Sequence, residues 1–314
     1  MDSILKLTNV STTFNSRDGF VKAVSGVDLE IKPGEIVGLV GETGCGKSVL
    51  GQTILRLTPP SAETEGSILF GGEDLAAMSE KELQQIRGRK IAYINQNPSE
   101  SLDPVMRVGD QIVESIRLYE KVSRKTAAEK AKEILRSLSF SDPETIMSKY
   151  PVELSGGMKQ RIMVAMAMSG RPPFMIADEP TKGLDALIRG QVIESLQKFI
   201  EYSRCAGLII THDLKFARVI CDRIALMYAG EIVEIAPKDE FFTKPMHPYL
   251  DGLIASMPQN GMKVLEGVPC SLIDLPRGCR FHERCRCCAA RCEREHPEMK
   301  TLSPDHEVRC FRYD

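Results

Sequence analysis

A chain of 314 residues with 42% hydrophobic residues is long enough to bury a proper core, as one large domain with an appendage or as two modest domains. Its net charge of −2 offers no large positive field, which argues against nucleic acid as a partner. Apolar runs are of strand length and none approaches the ~20 residues of a membrane span.

In chain order, Met1-Asp2-Ser3-Ile4 opens straight into an alternating pattern, without a basic, then apolar, then small-residue leader, so a cytoplasmic chain is expected. Ile4 to Val10 and Ala23 to Ile31 read as strands around a polar turn, and Pro33-Gly34-Glu35 turns into the apolar strand Ile36 to Val40. Val49 to Leu57 is helical, Gly66 to Gly72 and Lys90 to Ile94 are strands, and Pro104 to Ser141 is a helical insertion. A helix from Met158 to about Ser169, a strand Phe174 to Ala177, a helix from about Leu187 to Tyr202 and a strand Gly207 to Thr211 follow. Ile224 to Tyr228 and Ile232 to Glu234 are the last strands. Such alternation predicts an α/β fold with a mostly parallel sheet. Beyond about Asp239 the chain turns rich in Pro, Cys and Arg, which predicts a separate small module.

The strand Ile36 to Val40 delivers Gly41-Glu42-Thr43-Gly44-Cys45-Gly46-Lys47-Ser48, a full phosphate-loop pattern between strand and helix. Its glycines let backbone N–H groups approach phosphates, Lys47 neutralises the β/γ-phosphates and Ser48 can ligate Mg²⁺. Cys45 reads as a small filler. Phe174 to Ala177 ends in Asp178-Glu179, a metal ligand beside a water-polarising base. Another apolar strand ends at His212, placed for a γ-phosphate contact, and Gln96 follows the strand Ile91 to Ile94, where its carboxamide can reach Mg²⁺ or the attacking water. Leu154-Ser155-Gly156-Gly157-Met158 begins a helix and offers a second set of free N–H groups.

In this order the motifs, with Asp185 just after the acidic pair, resemble an ATP-binding cassette (ABC) nucleotide-binding domain over about residues 4 to 240. Ser101-Leu102-Asp103-Pro104, Met158, His247-Pro248-Tyr249, Gly278-Cys279-Arg280-Phe281 and Arg284-Cys285 narrow the resemblance to the ATPase subunits of dipeptide, oligopeptide and nickel importers. The fold it implies is a P-loop NTPase: a RecA-like parallel-sheet core with an antiparallel β subdomain and a helical insertion at about 97–170, in a domain of residues 1–240. A Cys-rich extension of 241–314 follows.

The implied activity is ATP hydrolysis coupled to import, with ATP and Mg²⁺ as cofactors. The implied ATP contacts are Phe14, Gly41, Glu42, Thr43, Gly44, Cys45, Gly46, Lys47, Ser48 and Val49, with Phe20 an alternative to Phe14 for stacking on adenine. Ser155, Gly156, Gly157, Gln160 and Asp185 would serve the nucleotide of a second cassette. Ser48, Gln96 and Asp178 would hold Mg²⁺, while Glu179, His212 and Gln96 would act in hydrolysis. The implied partners are a second ABC subunit, identical or paralogous, two permeases and, indirectly, an extracytoplasmic solute-binding protein, at the cytoplasmic face of the membrane. A soluble ABC switch and a cluster-bearing sensor are the competing readings. Asn95, where the family places an aromatic residue, and Lys182-Gly183, where it places a small pair, depart from the pattern.

The chain has 10 cysteines, and Cys270, Cys279, Cys285, Cys287, Cys288, Cys292 and Cys310 crowd its end. In a reducing cytosol that crowd suits a metal site better than disulfides. The resemblance implies a [4Fe–4S] cluster on Cys279, Cys285, Cys292 and Cys310, with Cys287 or Cys288 as substitutes for Cys285 and zinc as the alternative. The role expected of it is to cross-link a tail too small for its own core.

Overall fold

The structure, a computed structural model, describes residues 3–314; the chain start read at Met1 and Asp2 lies outside them. In chain order, β1 (Leu5–Ser16) and β2 (Gly19–Ile31) form a hairpin, β3 (Ile36–Val40) leads to α1 (Lys47–Ile54), and β4 (Ala62–Phe70) precedes β5 (Glu73–Asp74). The middle carries α2 (Glu80–Ile86), β6 (Ile91–Ile94), α3 (Pro98–Ser101), α4 (Val108–Tyr119), α5 (Arg124–Ser137), α6 (Pro143–Ser148), α7 (Gly156–Met168), β7 (Phe174–Asp178) and α8 (Ala186–Ser203). Then come β8 (Ala206–Thr211), α9 (Leu214–Ile220), β9 (Arg223–Tyr228), β10 (Glu231–Pro237), α10 (Lys238–Thr243), α11 (Pro248–Ser256), α12 (Ala290–Arg294), β11 (Lys300–Ser303) and β12 (His306–Val308).

These elements fall into two compact units. The first runs to Lys32 and adds Ile36–Ala77 and Ile210–Asp314; the second is Pro33–Glu35 with Met78–Ile209. In the first, β2-β1-β4-β5 make an antiparallel sheet, and a second set of strands runs β11-β12-β10-β9-β3. Strand β3 pairs in parallel with β9, while β9/β10, β10/β12 and β11/β12 are antiparallel, so the strands are mixed rather than mostly parallel as expected. All five residues of β3 are buried, which is why its sequence is an unbroken apolar run. The N–H of Ser25 donates to the Gly230 carbonyl at 2.8 Å and ties the two strand sets together.

The second unit holds the strand order β8-β7-β6, with β6 and β7 parallel in the register Ile91↔Phe174 to Ile94↔Ala177. Between β6 and β7 it carries the helices α3 to α7. Helix α4 buries Val108, Ile112 and Ile116, one face at a spacing of four, each side chain contributing about 1.5–3 kcal/mol. It ends at Tyr119, and Ser123 starts α5 by accepting the Thr126 N–H at 3.1 Å.

The tail is not a third compact unit, and the units do not divide at residue 240. Strand β12 pairs with β10, Glu234 opposite Val308. Fully buried Glu234 meets His306 Nε2 at 3.0 Å and accepts the His247 N–H at 2.7 Å. A strand of three residues carries too little pattern for sequence alone to find it.

Candidate functional site

In the first unit the phosphate loop leaves β3 and enters α1 at Gly46, whose φ of 107° is a left-handed conformation. Gly41 and Gly46 are fixed by close approach as well: a Cβ would stand 2.2 Å from the Met227 carbonyl oxygen at Gly41 and 2.0 Å from that of Ala23 at Gly46. Thr43 and Gly44 are exposed, and Ser48 and Val49 are half-buried. Lys47 is buried and its Nζ donates to the Gly41 and Glu42 carbonyls at 2.9 and 2.8 Å. Burial pushes the Cys45 thiol up, so it stays protonated, in keeping with a packing role.

Glu42 departs from the simple picture of a loop that offers all its amides. Its N–H donates to Tyr249 Oη at 2.9 Å, and its carboxylate takes two bonds from Arg284 at 2.7 and 2.9 Å. Both its backbone and its side chain are thus held from the tail. His247 accepts the Tyr249 N–H on Nδ1 at 3.1 Å and caps α11, and burial pushes its pKa down to about 3, which keeps the ring neutral and able to accept. Thus His247-Pro248-Tyr249, read only as a family mark, sets a hydroxyl against the loop. His212 is exposed just after β8, followed by Asp213, which caps α9.

The adenine contact expected of Phe14 falls on β1, where this half-buried residue pairs with Val21 and Ala62. Phe20, beside the hairpin turn, is 58% exposed.

In the second unit, β7 ends at buried Asp178, and Tyr93 on β6 donates its hydroxyl to Asp178 Oδ2 at 3.1 Å. Parallel pairing of β6 with β7 brings these residues together, a contact that no local motif announces. Glu179 is buried with φ of 46°, a strained value for a residue with a Cβ, and the strain falls on the expected base. Gln96 is half-buried, and Asn95 accepts its N–H at 2.7 Å, which gives the unusual Asn95 a local role.

Ser155 caps α7 by accepting the Met158 N–H at 3.3 Å, leaving Ser155 and Gly156 exposed at the helix start. Gly157 is packed on α8, where a Cβ would stand 2.0 Å from Ile188 Cγ2. Gln160 is 2% exposed, unlike Ser155 and Gly156 at the helix start. Asp185 is exposed and caps α8 by accepting the Ile188 N–H at 3.0 Å.

Back in the first unit, Cys279, Cys285, Cys287, Cys292 and Cys310 line one cavity of about 140 Å³, while Cys288 and Cys270 stand outside it. Burial pushes the Cys279 thiol up to about 12 and that of Cys285 up to about 11. Among the described residues no three His, Cys, Asp or Glu side chains are grouped as ligands of one metal ion.

Residues 24–182 match the ABC transporter family, and residues 233–292 match the oligopeptide/dipeptide transporter C-terminal region. The chain belongs to the ABC transporter family. This ABC cassette is 40% identical over 319 residues to a probable peptide ABC transporter ATP-binding protein of Sinorhizobium fredii, covering 99% of this chain and 95% of that one. It is 39% identical to the dipeptide transport ATP-binding protein DppD of Bacillus subtilis, covering 100% of this chain and 96% of that one. Among solved structures it is similar to the cassette MJ0796 in a dimeric post-hydrolysis state bound to ADP and Pi, at 28% identity and a TM-score of 0.67 over 74% of this chain and 98% of that one. It is also similar to cbiO1 of Clostridium perfringens, part of the ABC transporter complex cbiONQ, at 26% identity and a TM-score of 0.65 over 78% and 92% of the two chains. As a member of this family the ABC cassette is an ATPase.

Proposed function

We propose that this ABC cassette is the ATP-hydrolysing subunit of a peptide importer. The observation that carries the reading is the tail: residues 233–292 match the oligopeptide/dipeptide transporter C-terminal region, which a soluble ABC switch has no use for. Full-length similarity to proteins named for peptide and dipeptide transport favours peptides over nickel complexes as cargo.

The loop Gly41 to Val49 receives the polyphosphate through its backbone N–H groups other than that of Glu42 and through the positive end of α1, with Lys47 supplying a full charge. Mg²⁺, which would offset phosphate charge, suits Ser48, Gln96 and Asp178; the buried Asp178 carboxylate, aimed by Tyr93, supports that choice. Glu179 takes the proton of the attacking water, His212 contacts the γ-phosphate, and Phe14 stacks on adenine.

A helix start exposed at Ser155 and Gly156 suits the ATP of a second cassette, identical or paralogous, with Asp185 crossing the same interface. The dimeric state of MJ0796 supports the pairing. No helix among the described residues is long and apolar enough to cross a membrane. Two permeases would provide the path, fed by an extracytoplasmic solute-binding protein, with this chain peripheral at the cytoplasmic face. The cavity lined by Cys279, Cys285, Cys292 and Cys310 supports a [4Fe–4S] cluster, whose irons each take one thiolate and which would cross-link the tail.

Two measurements test this reading. Glu179→Gln should still bind ATP while turnover falls by about 100-fold or more; unchanged turnover removes Glu179 as base. Peptide uptake by cells should stop with Lys47→Ala, and affinity purification from membranes should bring down two multi-span permeases; a cassette that purifies without them is no importer subunit.

A further inference from the structure

Arg284 precedes Cys285 in the tail, and its side chain is only 3% exposed. Both terminal nitrogens donate to Glu42, Nη1 to Oε2 at 2.7 Å and Nη2 to Oε1 at 2.9 Å, the fork geometry that fixes a carboxylate in orientation as well as charge. The Nε donates to the Glu266 carbonyl at 3.2 Å, so the guanidinium is itself held from behind. Glu42 is the second residue of the phosphate loop. With its N–H bonded to Tyr249 Oη, this one loop residue is gripped by the tail through backbone and side chain together.

A second tether runs alongside. Arg280 Nη1 donates to the Ala229 carbonyl, and the neighbouring Gly230 N–H donates to the Cys45 carbonyl of the loop at 2.9 Å. Charge gives the first tether its meaning. A carboxylate in a loop that receives a polyphosphate repels the ligand unless it is neutralised, and at such short range in a partly buried place that repulsion is weakly screened.

We propose that Arg284 is a positioning residue for ATP: it neutralises Glu42 and holds the phosphate loop in its receiving conformation, so the cysteine-bearing tail sets the nucleotide affinity of the cassette. This rests on ATP binding at Gly41 to Ser48, and Lys47→Ala tests that separately. MgATP affinity and steady-state ATPase are measured on the full chain. Arg284→Ala should raise Kd and KM for ATP roughly 5- to 50-fold with kcat changed by less than about twofold. Arg284→Lys should recover part of the affinity, since it restores charge without the fork.

The decisive comparison is Glu42→Ala/Arg284→Ala, which should bind ATP more tightly than Arg284→Ala alone, because the unneutralised carboxylate is gone. A merely structural arginine predicts the reverse, a double variant at least as weak. Should Arg284→Ala fail to fold, Arg284→Gln with and without Glu42→Gln carries the same comparison. Wild-type KM in Arg284→Ala, or no recovery in the double variant, overturns the proposal. Wild-type ATP binding by Lys47→Ala overturns instead the site on which it rests.

Discussion

Tyr93 holds the Asp178 carboxylate with one hydroxyl at 3.1 Å, and Glu179 beside it adopts a left-handed backbone. Two adjacent acids at a strand end need such support, because a ligand that swings by an ångström loses its geometry. A hydrogen bond to a charged group is worth about 1.5–3 kcal/mol. Tyr93→Phe should therefore lower ATP turnover by about tenfold while leaving the chain folded, as steady-state ATPase assays and thermal unfolding would show. Turnover equal to wild type would mean that Asp178 is aimed by something else. The acids themselves were legible in the sequence, since an apolar run ending in Asp-Glu is a local pattern. Tyr93 was not, because its reach to Asp178 depends on how β6 registers against β7.

Among the elements, α7 shows one sequence feature serving two purposes. Ser155 and Gly156 stay exposed at its start, while Gly157 lets α8 come so close that any side chain would strike Ile188. Isoleucine is stiff at χ1 and cannot swing away cheaply. Gly157→Ala should cost about 1–3 kcal/mol of stability, read as a lower denaturant midpoint; an unchanged midpoint would show that α7 and α8 can part freely. The two glycines therefore differ: one stands open and one is demanded by packing, a distinction that periodicity does not contain. Likewise the helical stretch from Pro104 to Ser141 holds α4 and α5, and Ser123 caps the start of the second.

In the first unit the tail joins by strand pairing and by the buried pair Glu234–His306. The hydrogen bond to Glu234, joined by that to Glu240, raises the His306 pKa above its ordinary 6.5. A histidine with a raised folded-state pKa adds stability that is complete below the unfolded value and fades as pH climbs through the folded one. Thermal unfolding should thus show the wild type losing stability above pH 6.5 where His306→Ala, already about 3 kcal/mol weaker, loses less. Parallel pH curves for the two would remove His306 from the account.

By itself the sequence determined the phosphate loop, the acidic strand end, the exposed helix start and the family, because free N–H groups and strand ends are made by neighbours in the chain. Only tertiary structure decided that the tail packs as part of the first unit, that Gln160 is interior, and that Tyr249 and Arg284 close on Glu42 from 207 and 242 residues away. Contacts of that span are set by strand register and helix placement, and those follow from the burial of the whole core, which no single stretch encodes.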